Sequence, residues 1–409
     1  MQFTVVSVVN YSQLVKFDGG IFFSYDKKYC MKKIEIMDTT LRDGEQAEGV
    51  NFNSRQKLAI AKLLLTEVKV DRIEVASARV SKGEEKSVKK ITSWAKNGKF
   101  YDKVEVLGLV DGKISVDWIV SCGGKVMNLL CKGSKIHCVK QLGKTPKEHF
   151  GDIAEAINYA KKRHLKLNAY LEDWSQGMRD SKSYVMELVS LLRKLSVERI
   201  MLPDTLGILT PDQTSGYIKE MIDKFPGVKF DFHGHNDYGL ATANALAAVN
   251  AGARGIHTTV NSLGERTGNG SFAEAVVVIN DKTPFKCGVD EKKLMKIANL
   301  VSKFSGRKTP ENEPIVGGSV FTQTAGIHAD GDMKAKLYET KLSPERFGRI
   351  RKYALGKLSG KASLEMNLRK LKIVLDREQK EKLLQKIVDM GDRGKKVAAE
   401  DLPFLIKVV

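Results

Sequence analysis

KFDFHGHNDYGLATANALAAVNAGARGIHTTVN, residues 229–261, contains the unit from which the fold can be read. It opens on a short β-rich run, KFDFHGH from Lys229. A helical stretch follows, ATANALAAVNAGA from Ala241, with Gly252 placed to cap it. It closes on a second run, GIHTTVN from Gly255. Strand, helix and strand in this order form a parallel βαβ unit.

Working outward, the same alternation extends back to Lys33. Six further strand candidates precede the quoted pair: IEIMDTT from Ile34, RIEVAS from Arg72, VEVLGLV from Val104, VMNLL from Val126, LKLNAYLE from Leu165 and RIMLPDT from Arg199. Each is short and rich in Val, Ile or Leu, as strands covered on both faces should be. Between them lie amphipathic segments such as SRQKLAIAKLLLTEV from Ser54. Eight repeats predict closure into a (β/α)8 TIM barrel of class α/β over residues 31–282. A doubly wound open sheet would also alternate, but no glycine-rich dinucleotide loop follows the first strand.

Beyond about Lys282 the pattern changes to helices and polar loops without clear strands, predicting small helical subdomains over 283–409. Within them GGSVFTQTAGIHADGD (Gly317–Asp332) reads as a loop. Asp376–Met390 reads as a helix with Asp376 as N-cap and Gly391 as its stop. The basic cluster Arg346, Arg349, Arg351, Lys352 and Lys357 is either a solvated face or an anion site. Residues 1–30 read as a poorly ordered extension, since MQFTVVSVVN lacks a basic leader and Met31 opens MKKIEIMDTT.

The formal charge of +19 invites a nucleic-acid reading. Yet the Lys and Arg residues are spread over many helices, and no aromatic RNA-binding signature or zinc-finger spacing accompanies them. Such diffuse charge suits a solvated surface that attracts small anions, so no nucleic-acid partner is expected. No stretch approaches the roughly 20 apolar residues that span a bilayer, so no membrane partner is expected either. Five cysteines, Cys30, Cys122, Cys131, Cys138 and Cys287, form no CxxC pair, which suits a reducing cytoplasm. His137 beside Cys138, six residues beyond Cys131, gives only a faint hint of a metal site.

In a parallel barrel the active site forms at the C-terminal ends of the strands, and the polar motifs fall there. In HGHND, His233 and His235 lie two residues apart on one strand and point to the same side. Two imidazoles at a barrel mouth suit a divalent cation; buried histidines bonded to backbone are the alternative. A third ligand should be a carboxylate at a neighbouring strand end. TLRDGEQ (Thr40–Gln46) offers Asp43, which otherwise caps the next helix. Asn269 in GERTGNG could supply an amide oxygen as a fourth ligand. Nitrogen and oxygen donors without thiolate favour Mn²⁺, Mg²⁺ or Zn²⁺. Arg42 can clamp a carboxylate bidentately. Glu172 ends the fifth strand as an acid/base or a loop partner. Thr205 closes the sixth as a carboxylate ligand or a helix cap. A metal, an Arg and a Thr on one face suit a 2-oxo acid, whose carbonyl the metal polarises.

TLRDGEQ, HGHND, GERTGN and GIHADGD in this order resemble the isopropylmalate, homocitrate and citramalate synthase family, over about residues 32–409. The resemblance implies condensation of acetyl-CoA, as co-substrate, with a 2-oxo acid, followed by thioester hydrolysis. It implies that Asp43, His233, His235 and Asn269 bind one divalent metal, and that Arg42 and Thr205 hold the oxo acid. Glu172 would deprotonate the acetyl methyl or activate water. His328 and Tyr338 in GIHADGDMKAKLY would complete the site, often from a partner subunit, which implies a homodimer with exchanged subdomains. Leu107, Leu130 and Tyr170 fall where citramalate synthases line a small pocket for pyruvate, though ordinary barrel-rim packing also explains them. The chain stops at DLPFLIKVV, too early for the regulatory domain of longer members, so feedback through that domain is expected to be absent. That length points instead to isopropylmalate synthases lacking the domain. The pocket weighs more because it touches the substrate, and pyruvate is therefore expected. A metal-dependent aldolase or lyase on the same barrel is the rival within this fold.

Overall fold

Eight strands close on themselves in chain order. The computed structural model describes residues 33–408. The N-terminal extension expected over 1–30, with Cys30, lies outside the described residues. The strands are β1 (Glu35–Asp38), β2 (Arg72–Ser77), β3 (Val104–Leu109), β4 (Val126–Lys132), β5 (Lys166–Glu172), β6 (Arg199–Asp204), β7 (Phe230–Gly234) and β8 (Gly255–Thr258). All neighbours are parallel, and β1 closes the barrel on β8 with Glu35 opposite Gly255 and Met37 opposite His257. Each of the eight strand runs read from the sequence falls on one of these strands, β4 running two residues beyond VMNLL, so the (β/α)8 barrel stands.

Outward residues of the strands, such as Ile36, Ile73, Val75, Leu129, Leu202 and Phe232, are buried against the surrounding helices. That double cover explains the near-continuous apolar strands. The helices start where their caps dictate. Asn53, Thr145 and Thr210 each close a capping box at the helix that follows. Gly252, at φ 111°, ends the helix Ala241–Ala251 as expected.

Inside the barrel the side chains form layers. Glu35, Arg72, Glu105, Arg199 and Asp231 make an ionic floor, with Arg72 paired to Glu35, Glu105 and Asp231, and Arg199 to Glu35 and Asp231. Such buried charges are tolerable only when paired this completely. Met37, Glu74, Leu107, Tyr170, Met201, His233 and His257 stand above them. Leu130 stands beside Tyr170 in that layer, and two residues further along the strands come Lys132, Glu172 and His235.

Beyond the barrel two expectations need correction. Residues 317–332 are not simply a loop. Thr322–Gln323 is a short strand, β9, paired in parallel with β10 (Lys352–Tyr353), and Gly326–Ala335 is a helix. The helix was hidden because GIHADGDMKA carries two Gly and two Asp, all poor helix formers. Nor does Gly391 stop its helix, which runs Arg377–Asp392. A Cβ at Gly391 would lie 2.3 Å from the Lys357 amide nitrogen, so glycine there permits close chain approach. Leu355, Leu364, Leu368, Leu383, Ile387, Val397, Leu402 and Leu405 build a second, separate core.

The basic cluster divides. Arg346 pairs with Asp281 and Glu291, Arg349 donates to the carbonyls of Ile315, Gly317 and Gly318, and Arg351 pairs with Asp332. These three arginines are structural clamps, neither a solvated face nor an anion site. Lys352 and Lys357 are exposed.

Candidate active site

The turn after β1 is wound tightly, with the amides of Arg42, Asp43 and Gly44 all donating to the Thr39 carbonyl. Its outer side is pinned by Lys57, whose fully buried ammonium donates to the carbonyls of Leu41 (2.9 Å) and Val75 (3.2 Å). That ammonium also pairs with Glu45 and Glu84, each at 2.6 Å. The turn therefore delivers Asp43 into the barrel mouth, and Asp43 makes no helix-cap hydrogen bond.

There Asp43 meets the two histidines of β7 and its extension. Donor atoms of Asp43, His233 and His235, all buried, lie within 4.8 Å of one another, the one such group among the described residues. His233 Nε2 is 3.3 Å from His235 Nε2 and 3.5 Å from Asp43 Oδ2. Asn269 Nδ2 donates to Asp43 Oδ1 at 2.8 Å and to the Leu263 carbonyl at 3.0 Å. Its own Oδ1 is buried without a hydrogen-bond partner among the described residues. An orphaned buried oxygen is costly unless something binds it. With two imidazole nitrogens and a carboxylate beside it, the set fits a divalent cation. Gly264 makes room for this: at φ 154°, a Cβ there would lie 2.2 Å from Asn269 Nδ2.

The electrostatics agree. Burial by itself would raise the Asp43 carboxyl, but the Arg42 guanidinium beside it, helped by the hydrogen bond from Asn269, outweighs that and holds it well below the usual carboxylate range. Burial pushes His233 and His235 down, keeping both imidazoles neutral and able to ligate.

Arg42 is less free than the sequence suggested. Its Nη1 donates to Asp43 Oδ2 at 2.6 Å and its Nε to Glu74 Oε2 at 2.5 Å. Only the Nη2 edge, 3.4 Å from the Tyr170 hydroxyl, faces the mouth without a carboxylate. Glu74 is in turn held by Asn128 Nδ2 at 2.7 Å. Leu107, Leu130 and Tyr170 do come together, in one apolar cluster with Met37 and Met201. Glu172, at the end of β5, pairs with Lys132 at the end of β4. The Thr205 hydroxyl accepts from the Asp173 amide at 2.9 Å, while Thr210 caps the following helix.

His328 and Tyr338 are not brought to this mouth. Their rings pack on each other with centroids 4.3 Å apart, beside the helix Gly326–Ala335, and neither bonds to a barrel-mouth residue among those described. Apolar Ile327, Leu337 and Leu358 are well exposed nearby. The cysteine hint leads nowhere: Cys131 and Cys138 are buried free thiols, and His137 faces Asp173 instead.

Sequence reasoning missed Glu74, Lys132, His257 and Lys57. A signal existed for two of them. Glu74 is a charge in the middle of an apolar strand, and Lys57 lies on the apolar face of its helix with Ile60, Ala61 and Leu64.

The fold and site define a (β/α)8 barrel whose mouth carries a buried Asp43–His233–His235 group that fits a divalent cation, with Asn269 bonded to Asp43. Residues 33–301 match the HMGL-like family model, and residues 315–395 match the model described as homocitrate synthase post-HMGL domain-like. A 2-isopropylmalate synthase of Sulfolobus acidocaldarius is 36% identical over 396 residues, covering 95% of this chain and 98% of that protein. An (R)-citramalate synthase of Methanocaldococcus jannaschii is 34% identical over 377 residues, covering 92% of this chain and 74% of that protein. Among solved structures, the HMG-CoA lyase of Bacillus subtilis superposes with a TM-score of 0.59 at 22% identity, covering 68% of this chain and 96% of that one, which bears on the fold alone. The chain belongs to the HMGL-like family, within the group that holds the citramalate, 2-isopropylmalate and homocitrate synthases.

Proposed function

We propose that the protein condenses acetyl-CoA with a 2-oxo acid, and that the oxo acid is pyruvate, giving (R)-citramalate and CoA. This would be the first step of a pyruvate route to isoleucine. The observation that carries the reading is the buried Asp43–His233–His235 group with Asn269 bonded to Asp43 and its own Oδ1 unpartnered, beside Arg42 and the apolar cluster of Leu107, Leu130 and Tyr170. Asp43, His233, His235 and Asn269 would hold one divalent cation, Mn²⁺, Mg²⁺ or Zn²⁺. When bound, the cation would act as a Lewis acid on the oxo-acid carbonyl.

The other steps fall to the chain's own residues. The free Nη2 edge of Arg42 and the Thr205 hydroxyl would take the oxo-acid carboxylate. Glu172 would accept a proton from the acetyl methyl, and the carbanion would add to the keto carbon as the C=O π pair moves onto oxygen, which takes up a proton to give the product hydroxyl. Lys132 beside Glu172 would steady the charge that carboxylate carries before the transfer. Water would then cleave the thioester and release CoA. His328 and Tyr338 would complete the site from a second copy. Their distance from this chain's own barrel mouth and the exposed Ile327, Leu337 and Leu358 support a homodimer with exchanged subdomains, within which residues 283–409 serve the neighbouring barrel.

Among the described residues no helix is long and apolar enough to cross a membrane. The four described cysteines are free thiols, which supports a cytoplasmic setting. The second reading is a 2-isopropylmalate synthase using 2-oxoisovalerate. It is favoured by the near-complete mutual coverage with the Sulfolobus enzyme. The two differ by pocket room worth about 1–3 kcal/mol. The test is CoA thiol release with each oxo acid in turn, comparing kcat/KM for pyruvate and 2-oxoisovalerate. Preference for 2-oxoisovalerate overturns the pyruvate assignment. No thiol release with any oxo acid overturns the synthase reading and leaves an aldolase or lyase on the same barrel.

A further inference from the structure

The floor of the oxo-acid pocket is tied to the ionic floor of the barrel by one side chain that none of the motifs contains. Tyr170 projects from β5 and His257 from β8, three strands away, so a bond between them crosses the barrel interior. The Tyr170 hydroxyl lies 3.0 Å from His257 Nδ1. On the far side of the ring, His257 Nε2 lies 3.3 Å from Asp231 Oδ2. Asp231 is itself locked by Arg199 Nη1 at 2.6 Å and by Arg72 Nη2. A carboxylate held by two guanidinium groups can only accept. His257 Nε2 therefore carries a proton, and Nδ1 is left to the tyrosine. Both His257 and Asp231 are fully buried, so no solvent competes for these bonds.

Tyr170 is also boxed in sideways. Its ring meets the ring of His233 edge-on at 5.9 Å and that of His257 at 5.5 Å, and the Arg42 guanidinium stands over it at 5.5 Å. A tyrosine at a pocket wall can swing about its first side-chain torsion, and a bond at its far end removes that freedom. Its height relative to Leu107 and Leu130 sets the room for the carbons beyond the keto group.

We infer that His257 is a specificity-determining positioning residue: the Asp231–His257–Tyr170 strut fixes the depth of the oxo-acid pocket and thereby the choice of oxo acid. This rests on the synthase reading above. His257 touches neither substrate nor reacting atoms and acts through Tyr170.

The experiment compares the ratio of kcat/KM for 2-oxoisovalerate to that for pyruvate in the wild-type protein, His257→Leu and Tyr170→Phe. Bound divalent metal per chain is measured alongside. Tyr170→Phe keeps the ring and cuts the strut, along with the longer contacts of its hydroxyl to Arg42 (3.4 Å) and Glu74 (3.5 Å). It therefore serves even where His257→Leu, which bares part of Asp231, fails to fold. Release of the ring is expected to raise the ratio about tenfold in either variant, the selectivity that one methylene commands. The double variant should show no further rise, because both changes cut one strut. Bound metal should stay as in the wild type. A loss of kcat/KM equal for both oxo acids, or a ratio within twofold of wild type in Tyr170→Phe, overturns the inference. A wild-type protein that releases no thiol with any oxo acid fails at the synthase reading instead, so the two failures are distinguishable.

Discussion

Replacing His235 by Ala should abolish cation binding while leaving the fold intact, and the structure sets the size of the readout. Among the described residues the only hydrogen-bond-range partner of the His235 ring is His233 Nε2 at 3.3 Å, so its removal from the cation-free protein breaks no essential contact. The cost should stay near 1 kcal/mol, the worth of one hydrogen bond. In the wild-type protein, a cation at one hundred times its dissociation constant stabilises the fold by about 2.7 kcal/mol. For a chain of this size each kcal/mol moves the midpoint by about 2 °C, so chelation should lower the wild-type Tm by about 5 °C. In His235→Ala, chelation should change nothing. The assay is a thermal scan with and without chelator, paired with bound metal per chain by elemental analysis. A variant that keeps one cation per chain and the full chelator-sensitive shift would refute the assignment of His235 as a ligand.

Other outcomes follow from the same geometry. Lys57→Met leaves Glu45 and Glu84 without their buried ammonium and should cost about 3 kcal/mol, read as a lower urea midpoint; an unchanged midpoint would show that the ammonium is not what holds the β1 turn. Asp38 is pushed up by burial from the ordinary 3.8 to about 7, despite its hydrogen bonds from Thr40. A raised carboxyl contributes stability that is fully present below its unfolded value and is lost as pH rises through 7. Asp38→Asn should therefore flatten the fall of Tm between about pH 4 and pH 7, by about 4 kcal/mol at most; curves that stay parallel count against a neutral Asp38. Finally, His328→Ala and His233→Ala should each turn over poorly alone. If His328 works on the neighbouring barrel, co-refolded mixtures should recover about a quarter of wild-type thiol release, from the one intact site in each mixed dimer; recovery of none would place His328 outside the mechanism or within its own chain.

Much of the site was legible because strand geometry makes it so. Residues two apart on a strand share a face, which placed His233 with His235 before any coordinates. The mouth of a parallel barrel gathers strand ends, which brought in Asp43 and Asn269. What stayed hidden is what crosses the barrel. Arg42 looked like a free clamp, yet Glu74 and Asp43 already occupy two edges of its guanidinium. Glu74 lies 32 positions from Arg42, and no local periodicity connects them. His257 escaped notice for the same reason, since its partners Tyr170 and Asp231 lie on β5 and β7. The helix Gly326–Ala335 was missed because its residues resist helix formation, so its local propensity gave no sign of it.

The sequence by itself determined the barrel, its eight strands and the shared face of His233 and His235, because alternation, caps and same-face spacing are local properties of a chain. The tertiary structure decided which charges neutralise which, that three arginines beyond the barrel are clamps, and that His328 sits apart from this chain's own mouth. Those facts depend on contacts between residues up to about 220 positions apart, such as Asn269 with Asp43. Packing selects such pairs in three dimensions, and local propensity carries no record of them.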